Sequence, residues 1–412
     1  MTKAQKYLAI VALSLSGASI FFIPYMRYYF QTPMLEAFQI TNEQLGLFYS
    51  IYAFGCIFLY IPGGILADRY KPKKILIGSL VCQCALCLIL AASLNYKVAL
   101  GVWFMFAFTT TFVFWTSLIK AVRMIGTSEE QGKIFGLYYA GNGAVNTVIG
   151  FITVAAFSYV NEKMGAAAGI RAVILVSVAV MALAALAVTL FFKDGDSNDE
   201  EKEKFSVAAV LPLIKTPIVW LIAFTVFCAF GLVSSSTYFV PFLTDVMGVS
   251  VETSATLGVI RTSLFLLVCA PLSGFIADRL QSTSKWFLIA MTLLAAAFAG
   301  FYFMPADTSQ VLAMALSLVP GALALMIYGI VFSIVGECKI PLRLTGIVVG
   351  LASIIGYSPD LFFHAMFGQW IDTYGALGYK YIFLFLTGLC ILGMFLAYSI
   401  RKMTKNRPPI IQ

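Results

Sequence analysis

Hydrophobic residues run along this chain in long blocks, and polar residues fill the short gaps between them. A helix needs roughly 20 mostly apolar residues to cross about 30 Å of hydrocarbon. Twelve blocks meet that length, at residues 7–31, 44–67, 74–94, 98–120, 132–158, 171–192, 214–242, 252–277, 286–304, 311–335, 343–370 and 380–400. The first block is too long for a signal peptide and lacks a small-residue cleavage site, so it is read as helix 1. One strongly polar stretch, Lys193 to Lys204, lies near the middle. It is expected to be a solvated linker. The pattern therefore predicts an N-terminal six-helix bundle over 1–192, a linker over 193–212 and a C-terminal six-helix bundle over 213–412. The fold class is all-α, a polytopic membrane protein.

Composition agrees. Of the 412 residues, 61% are hydrophobic and 11% charged, where a soluble domain carries about 25% charged residues. Mean hydropathy is +0.92. A soluble globule and a disordered chain are excluded, and an outer-membrane barrel would dilute its hydrophobicity by alternation. The net charge of +8 has a local explanation. An even number of spans puts both termini on one side. If that side is cytoplasmic, it holds 21 of the 27 Lys and Arg residues, as the positive-inside rule requires. Nucleic acid is not needed as a partner. The expected setting is the inner (plasma) membrane, with the lipid bilayer as surroundings, both termini cytoplasmic and a monomeric chain.

An internal repeat supports two related halves. Gly64-Ile65-Leu66-Ala67-Asp68-Arg69 closes the second block, and Gly274-Phe275-Ile276-Ala277-Asp278-Arg279 closes the eighth. Gly64 and Gly274 leave room for a neighbouring helix. Asp68 and Asp278 sit where an acid can meet a helix N-terminus. Arg69 and Arg279 can pair with acids of adjacent loops, such as Glu129 or Glu130. Read as a gating motif, these contacts form in one state and break in the other. Read more simply, they are charges that fix topology. The duplication favours the gate, since parallel repeats mark transporters.

Twelve spans, a polar central linker and this duplicated motif resemble the major facilitator superfamily over nearly the whole chain. The resemblance implies a secondary transporter. The motif departs from the usual pattern in continuing Tyr70-Lys71-Pro72-Lys73-Lys74, which keeps the basic character and loses a glycine.

Ionisable residues inside spans are costly, about 2.5–3.5 kcal/mol each on insertion scales, and so point to function. If helix 1 extends to about Phe38, Arg27, Arg261 and Asp360 lie at similar depths, about 16, 13 and 15 Å from the outer helix ends at 1.5 Å per residue. They are expected to converge on one central cavity. Guanidinium groups suit oxyanions through forked hydrogen bonds, so an anionic substrate follows. Two simpler roles stay open: Arg27 snorkelling outward, and Arg261 paired structurally with Asp360. Asp360 and His364, four residues apart, share one helix face. They are read as a proton-coupling pair or an ion pair, with simple packing of the single His as the alternative. Pro359 should kink helix 11 beside the acid and free a carbonyl.

A closer resemblance is to the organophosphate:phosphate antiporters, of glycerol-3-phosphate transporter type. It rests on Tyr25-Met26-Arg27-Tyr28 with Gly63-Gly64, and on Phe114-Trp115-Thr116-Ser117 through Glu129-Glu130-Gln131-Gly132-Lys133. Thr345-Gly346, Gly350 and Gly356-Tyr357 extend it to helix 11. It implies that Arg27 binds the anionic group of the substrate, with Tyr25 nearby. That family has a second arginine on helix 7, where this chain reads Cys228 to Ser236 without a basic residue. Arg261 is a candidate substitute. A carboxylate, sulfonate or sugar acid is then as plausible as a phosphate ester. The hydroxyls of Ser234, Ser235, Ser236 and Thr237 either bond such a ligand, with Ser235 the chosen residue, or bond their own backbone. Lys120 and Arg123, at the inner end of helix 4, read as interfacial charges.

The eight cysteines are scattered, and Cys82, Cys84 and Cys87 fall within apolar helix 3 with no His or acid nearby, so no metal site is expected. No nucleotide-binding or hydrolase motif appears, and neither a cofactor nor an enzymatic activity is expected. The expected function is transport of a small organic anion by alternating access, through exchange against a counter-anion or symport with protons. A ligand sensor of the same fold and a proton-driven efflux transporter are the alternatives.

Overall fold

The computed structural model describes residues 2–126, 130–194, 213, 215–305, 307–340 and 342–404, without the side chains of 60, 61, 64–69, 131, 132, 270 and 342–347. Every regular element among the described residues is helical. The membrane helices are α1 (Lys3–Phe38), α2 (Asn42–Arg69), α3 (Pro72–Ala92), α4 (Tyr96–Arg123), α5 (Gln131–Met164) and α6 (Ala166–Phe191), then α7 (Pro217–Asp245), α8 (251–280), α9 (Thr283–Tyr302), α10 (Gln310–Gly329), α11 (342–374) and α12 (Ala376–Thr404). Eleven are long and apolar enough to span a membrane by their described residues. The twelfth, α2, has 28 residues, which rise about 42 Å as a helix. Among the described residues the chain is thus all-α, with twelve long helices as the hydrophobic pattern predicts.

The chain divides into two compact units, Met1–Asp199 with Val249–Leu264, and Glu200–Gly248 with Phe265–Gln412. The first half of α8 therefore groups with α1–α6.

Five of the helices are interrupted, and the interruptions position the polar chemistry. In α1, regular helix stops at Phe22 and resumes at Arg27. Pro24 explains the break: it has no N–H, so the Ile20 carbonyl loses its helical donor. Gln83 of α3 replaces that donor, its Nε2 donating to Ile20 O at 3.2 Å. The Pro24 carbonyl in turn accepts from Trp103 Nε1 of α4 at 3.2 Å. In hydrocarbon no water is available for such groups, so side chains must serve them.

In α4 a π turn covers Phe108–Phe112. Its three threonines reach three partners. Thr109 donates to Gln83 Oε1, Thr110 lies 3.0 Å from the Tyr52 hydroxyl, and Thr111 donates to Cys56 Sγ. A second π turn, Ile260–Leu264, interrupts α8. Short 3-10 turns interrupt α7 at Ser236–Tyr238 and α11 at Ser358–Leu361. The α11 turn contains Pro359, and the Ile355 carbonyl that Pro359 deprives accepts from Ser358 Oγ at 2.7 Å.

In the second unit α7 and α11 approach closely. A Cβ on Gly356 would lie 2.3 Å from Val226 Cγ1, and one on Gly231 would lie 2.8 Å from Phe363. Among the described residues, a Cβ on Gly274 would meet no atom within 4 Å. It is half-buried, with exposed Leu272 and Phe275 nearby in sequence. Asp278 and Arg279 are exposed, with the Arg279 guanidinium 4.5 Å from the Phe275 ring centroid. The surroundings of Gly64, the side chains of Asp68 and Arg69, and all of Glu129 lie outside the described residues. Glu130 pairs with Lys6 at 2.6 Å, tying the start of α1 to the start of α5. The eight cysteines are free thiols.

Candidate functional site

The break in α1 sets the first polar cluster, in the N-terminal unit. Helix resumes at Arg27, so Tyr25, Arg27, Tyr28 and Tyr29 crowd the bend. Arg27 is 2% exposed, which excludes an outward snorkel. Its backbone N–H donates to the Tyr49 hydroxyl at 3.2 Å, and its Nη1 donates to Gln31 Oε1 at 3.0 Å. Gln31 Nε2 donates onward to Asn42 Oδ1 at 2.9 Å. The guanidinium carbon lies 4.8 Å from the Tyr49 ring centroid and 5.8 Å from that of Tyr28. Aromatic faces stabilise a buried cation through their negative quadrupole. The charge is held in place by rings and an amide.

Beside it lies a cavity of about 180 Å³, walled by Phe21, Phe22, Tyr25, Tyr28, Tyr29, Asn146, Thr262 and Ser263. Tyr28 is common to both features: it lines the cavity and neighbours the guanidinium. The Tyr25 ring packs edge-on to Tyr52, with centroids 5.7 Å apart. The α8 π turn supplies the opposite polar wall. Thr262 Oγ1 donates to the Tyr29 hydroxyl at 3.2 Å, and Ser263 Oγ lies 3.2 Å from the same oxygen. Arg261, in that turn, is 1% exposed. The sequence reading thus locates Arg27 and Tyr25 at one place. It misses Gln31, Asn146 and the hydroxyls of the α8 turn, whose only sequence signal is polarity inside apolar blocks.

The second cluster lies in the C-terminal unit. Asp360, 4% exposed, and His364, fully buried, occupy one face of α11 as their spacing predicts. His364 Nε2 is 3.1 Å from Asp360 Oδ1. Ser234 of α7 donates to Asp360 Oδ1 at 2.7 Å and lies 2.9 Å from His364 Nε2. Arg261 and Asp360 fall in different units, and the acid's partners are His364 and Ser234. On α7 the reach belongs to Ser234. The neighbouring Ser235 Oγ is buried with no hydrogen-bond partner among the described residues. Ser236 and Thr237 bond backbone carbonyls of their own helix, at 2.7 Å each. Lys120 and Arg123 form the last turn of α4.

Comparison with known proteins matches residues 8–362 to the model of the Major Facilitator Superfamily. The inner membrane protein YihN of Escherichia coli K12 is 29% identical, covering 93% of this chain and 92% of its own. The inner membrane protein YqcE of the same organism is 26% identical, covering 98% and 96%. Among solved structures, a bacterial homologue of the human lysosomal transporter Spinster, inward-facing and unoccupied, aligns with TM-score 0.78 at 15% identity over 98% of both chains. The nucleoside transporter NupG aligns with TM-score 0.73 at 13% identity, over 98% of this chain and all of its own.

Proposed function

The chain belongs to the Major Facilitator Superfamily and is a membrane transporter, not an enzyme, and on that premise we propose that it moves a small organic anion by alternating access. The observation that carries this reading is the buried Arg27 guanidinium, set one tyrosine ring from a mainly aromatic cavity that also carries Asn146, Thr262 and Ser263. A permanent buried cation is costly, and a mobile anion is a natural partner for it. The rings of Tyr25, Tyr28 and Tyr29 suit the apolar face of a ring-sized solute. Asn146, Thr262 and Ser263 suit its hydroxyl or carbonyl groups. Phosphate ester, carboxylate, sulfonate and sugar acid all fit this chemistry. Arg261 and Ser235 are secondary candidates for the same solute.

Asp360 and His364 are the acid–base pair that supports proton symport over plain anion exchange. Asp278 and Arg279, with the related Gly64, Asp68 and Arg69 and with Gly274, are proposed as the gate, and residues 1–192 and 213–412 as the moving halves. The relatives are named as inner membrane proteins. The distribution of Lys and Arg supports cytoplasmic termini.

A panel of organic anions tested for thermal stabilisation of the purified protein checks the reading. A binder should stabilise wild type and lose about 10- to 150-fold in affinity in Arg27→Ala, the size of a lost charged hydrogen bond. Undiminished affinity in that variant would refute the role of Arg27.

A further inference from the structure

The α11–α12 hairpin carries a second concavity, on the outside of the C-terminal unit. The groove holds about 390 Å³ between Trp370 and Tyr374 of α11 and Tyr381, Leu384 and Phe385 of α12. Tyr374, Tyr381 and Leu384 are exposed, so it opens where a membrane helix meets lipid. Two ring pairs build its walls. Tyr374 and Tyr381 cross at 90° with centroids 5.1 Å apart, and Trp370 meets Phe385 edge-on at 5.9 Å. The hairpin turns at Gly375, and α12 then runs 29 residues to Thr404, about 43 Å. The groove therefore lies at the membrane face opposite the far end of α12. Trp370 stands four residues before Tyr374, and Lys380 and Tyr381 stand four and five after Ala376. All three are about 6–8 Å from the hairpin end, the headgroup level at which Trp and Tyr gather. Leu384 and Phe385 lie one turn deeper. Gly388, a further turn on, is exposed, and a Cβ there would meet no atom within 4 Å, so the lipid face of α12 stays indented at hydrocarbon depth.

The polar groups at the shallow end are open. Among the described residues Trp370 Nε1 and the hydroxyls of Tyr374 and Tyr381 have no hydrogen-bond partner. Lys380, half-buried, has neither an ion pair nor a hydrogen bond there. It shares a helix face with Leu384, four residues on. Residues 376–404 contain no acid. Asp372 stands about 200° around α11 from Trp370, and Asp245 accepts from the Tyr379 hydroxyl at 2.6 Å. An ammonium and three donors thus stand over a slot that deepens into hydrocarbon. We propose that this groove binds a phospholipid of net negative charge, with the phosphate at Lys380, Trp370 Nε1 and the two tyrosine hydroxyls, and one acyl chain along Leu384, Phe385 and Gly388. A ligand that fits both ends must join an anionic head to a long apolar chain. One lysine at an anionic membrane surface favours such a head by about fivefold over one whose own cation balances its phosphate. The site is independent of Arg27 and of any transported solute.

The chain has five tryptophans, so fluorine NMR of the full-length protein labelled with 5-fluorotryptophan gives few signals, and Trp370→Phe identifies that of Trp370. The protein is placed in nanodiscs of phosphatidylcholine containing increasing fractions of phosphatidylglycerol. The Trp370 signal is expected to shift and saturate as the anionic fraction rises. Lys380→Gln should need about five times that fraction for the same shift. Lys380→Arg, which keeps the charge, and Lys402→Gln, which removes a charge at the other end of α12, should titrate as wild type. The other four signals report that each variant is folded. A Trp370 signal that does not move or rises without saturating, Lys380→Gln titrating as wild type, or Lys380→Arg or Lys402→Gln losing as much as Lys380→Gln would each overturn the proposal. An equal response to zwitterionic phosphatidylethanolamine would mark the groove as a seat for any acyl chain and overturn its selectivity for negative charge.

Discussion

Gln83 is fully buried and serves two breaks at once, the Ile20 carbonyl in α1 and Thr109 in the α4 π turn. In Gln83→Leu the side-chain volume is nearly kept and both hydrogen bonds are lost. Thr109 retains its bond to Phe106 O at 3.1 Å, so the damage concentrates on Ile20. Its carbonyl becomes an acceptor in an apolar interior, a defect worth about 1–3 kcal/mol. Interhelical hydrogen bonds in membranes average about 0.6 kcal/mol and reach about 1.7, but Pro24 removes the backbone donor that usually softens such losses. About 2 kcal/mol is the expected cost. For a unit of about 200 residues, each kcal/mol lowers Tm by about 2–4 °C, so Gln83→Leu should melt about 4–8 °C below wild type in a thermal unfolding assay. Pro24→Ala supplies the missing N–H. Tyr25 N already donates to Phe21 O at 3.3 Å, so helical geometry persists there and the N–H introduced at position 24 is placed to reach the Ile20 carbonyl. The double variant should recover at least half of the loss, a coupling of about 1 kcal/mol. A Gln83→Leu protein melting within about 1 °C of wild type, or a double variant no better than Gln83→Leu, would refute the reasoning.

Two further outcomes are expected. Burial, aided by the charge of adjacent Glu337, pushes the Cys338 thiol up to about 12. At neutral pH it should hold about a thousandfold less thiolate than an ordinary thiol of pKa about 9, and mass spectrometry after maleimide treatment should find it unlabelled until the pH is raised. The Lys6–Glu130 pair is half-exposed and worth about 0–1 kcal/mol. Lys6→Glu should lower Tm slightly at low salt, with Lys6→Glu/Glu130→Lys restoring it, and the difference should vanish at high ionic strength.

The twelve spans were legible because length and hydropathy settle them, and their edges moved by only a few residues where loops are short. In the sequence helix 1 reads as a block over 7–31 that runs on to about Phe38 if Arg27 lies deep. The structure continues it to Phe38 after a break, and Pro24 was the available signal. Arg27 and the Asp360–His364 spacing were legible because an ionisable group inside an apolar block stands out and a helix puts i and i+4 together. The choice of Ser234 over Ser235 was not legible. Which hydroxyl faces α11 depends on the rotation of α7 and on the close packing at Gly231 and Gly356, which are tertiary matters. The grouping of residues 249–264 with the first unit was equally hidden, because apolar pattern marks a span and not its neighbours. The role of Gln83 was not legible, since it depends on an orphan carbonyl more than 60 positions away.

The π turn in α4 has a consequence for how such chains diverge. A π turn accommodates one residue more than an ordinary helix does, and each residue turns a helix by about 100°. Losing one residue from 108–112 would leave the span just as able to cross the bilayer while swinging everything on one side of it to a new face. Thr110 and Thr111 could not then both keep Tyr52 and Cys56. In an alignment a one-residue gap at this place is therefore a switch of partners, and relatives that differ by that one residue need not share the interior of this span.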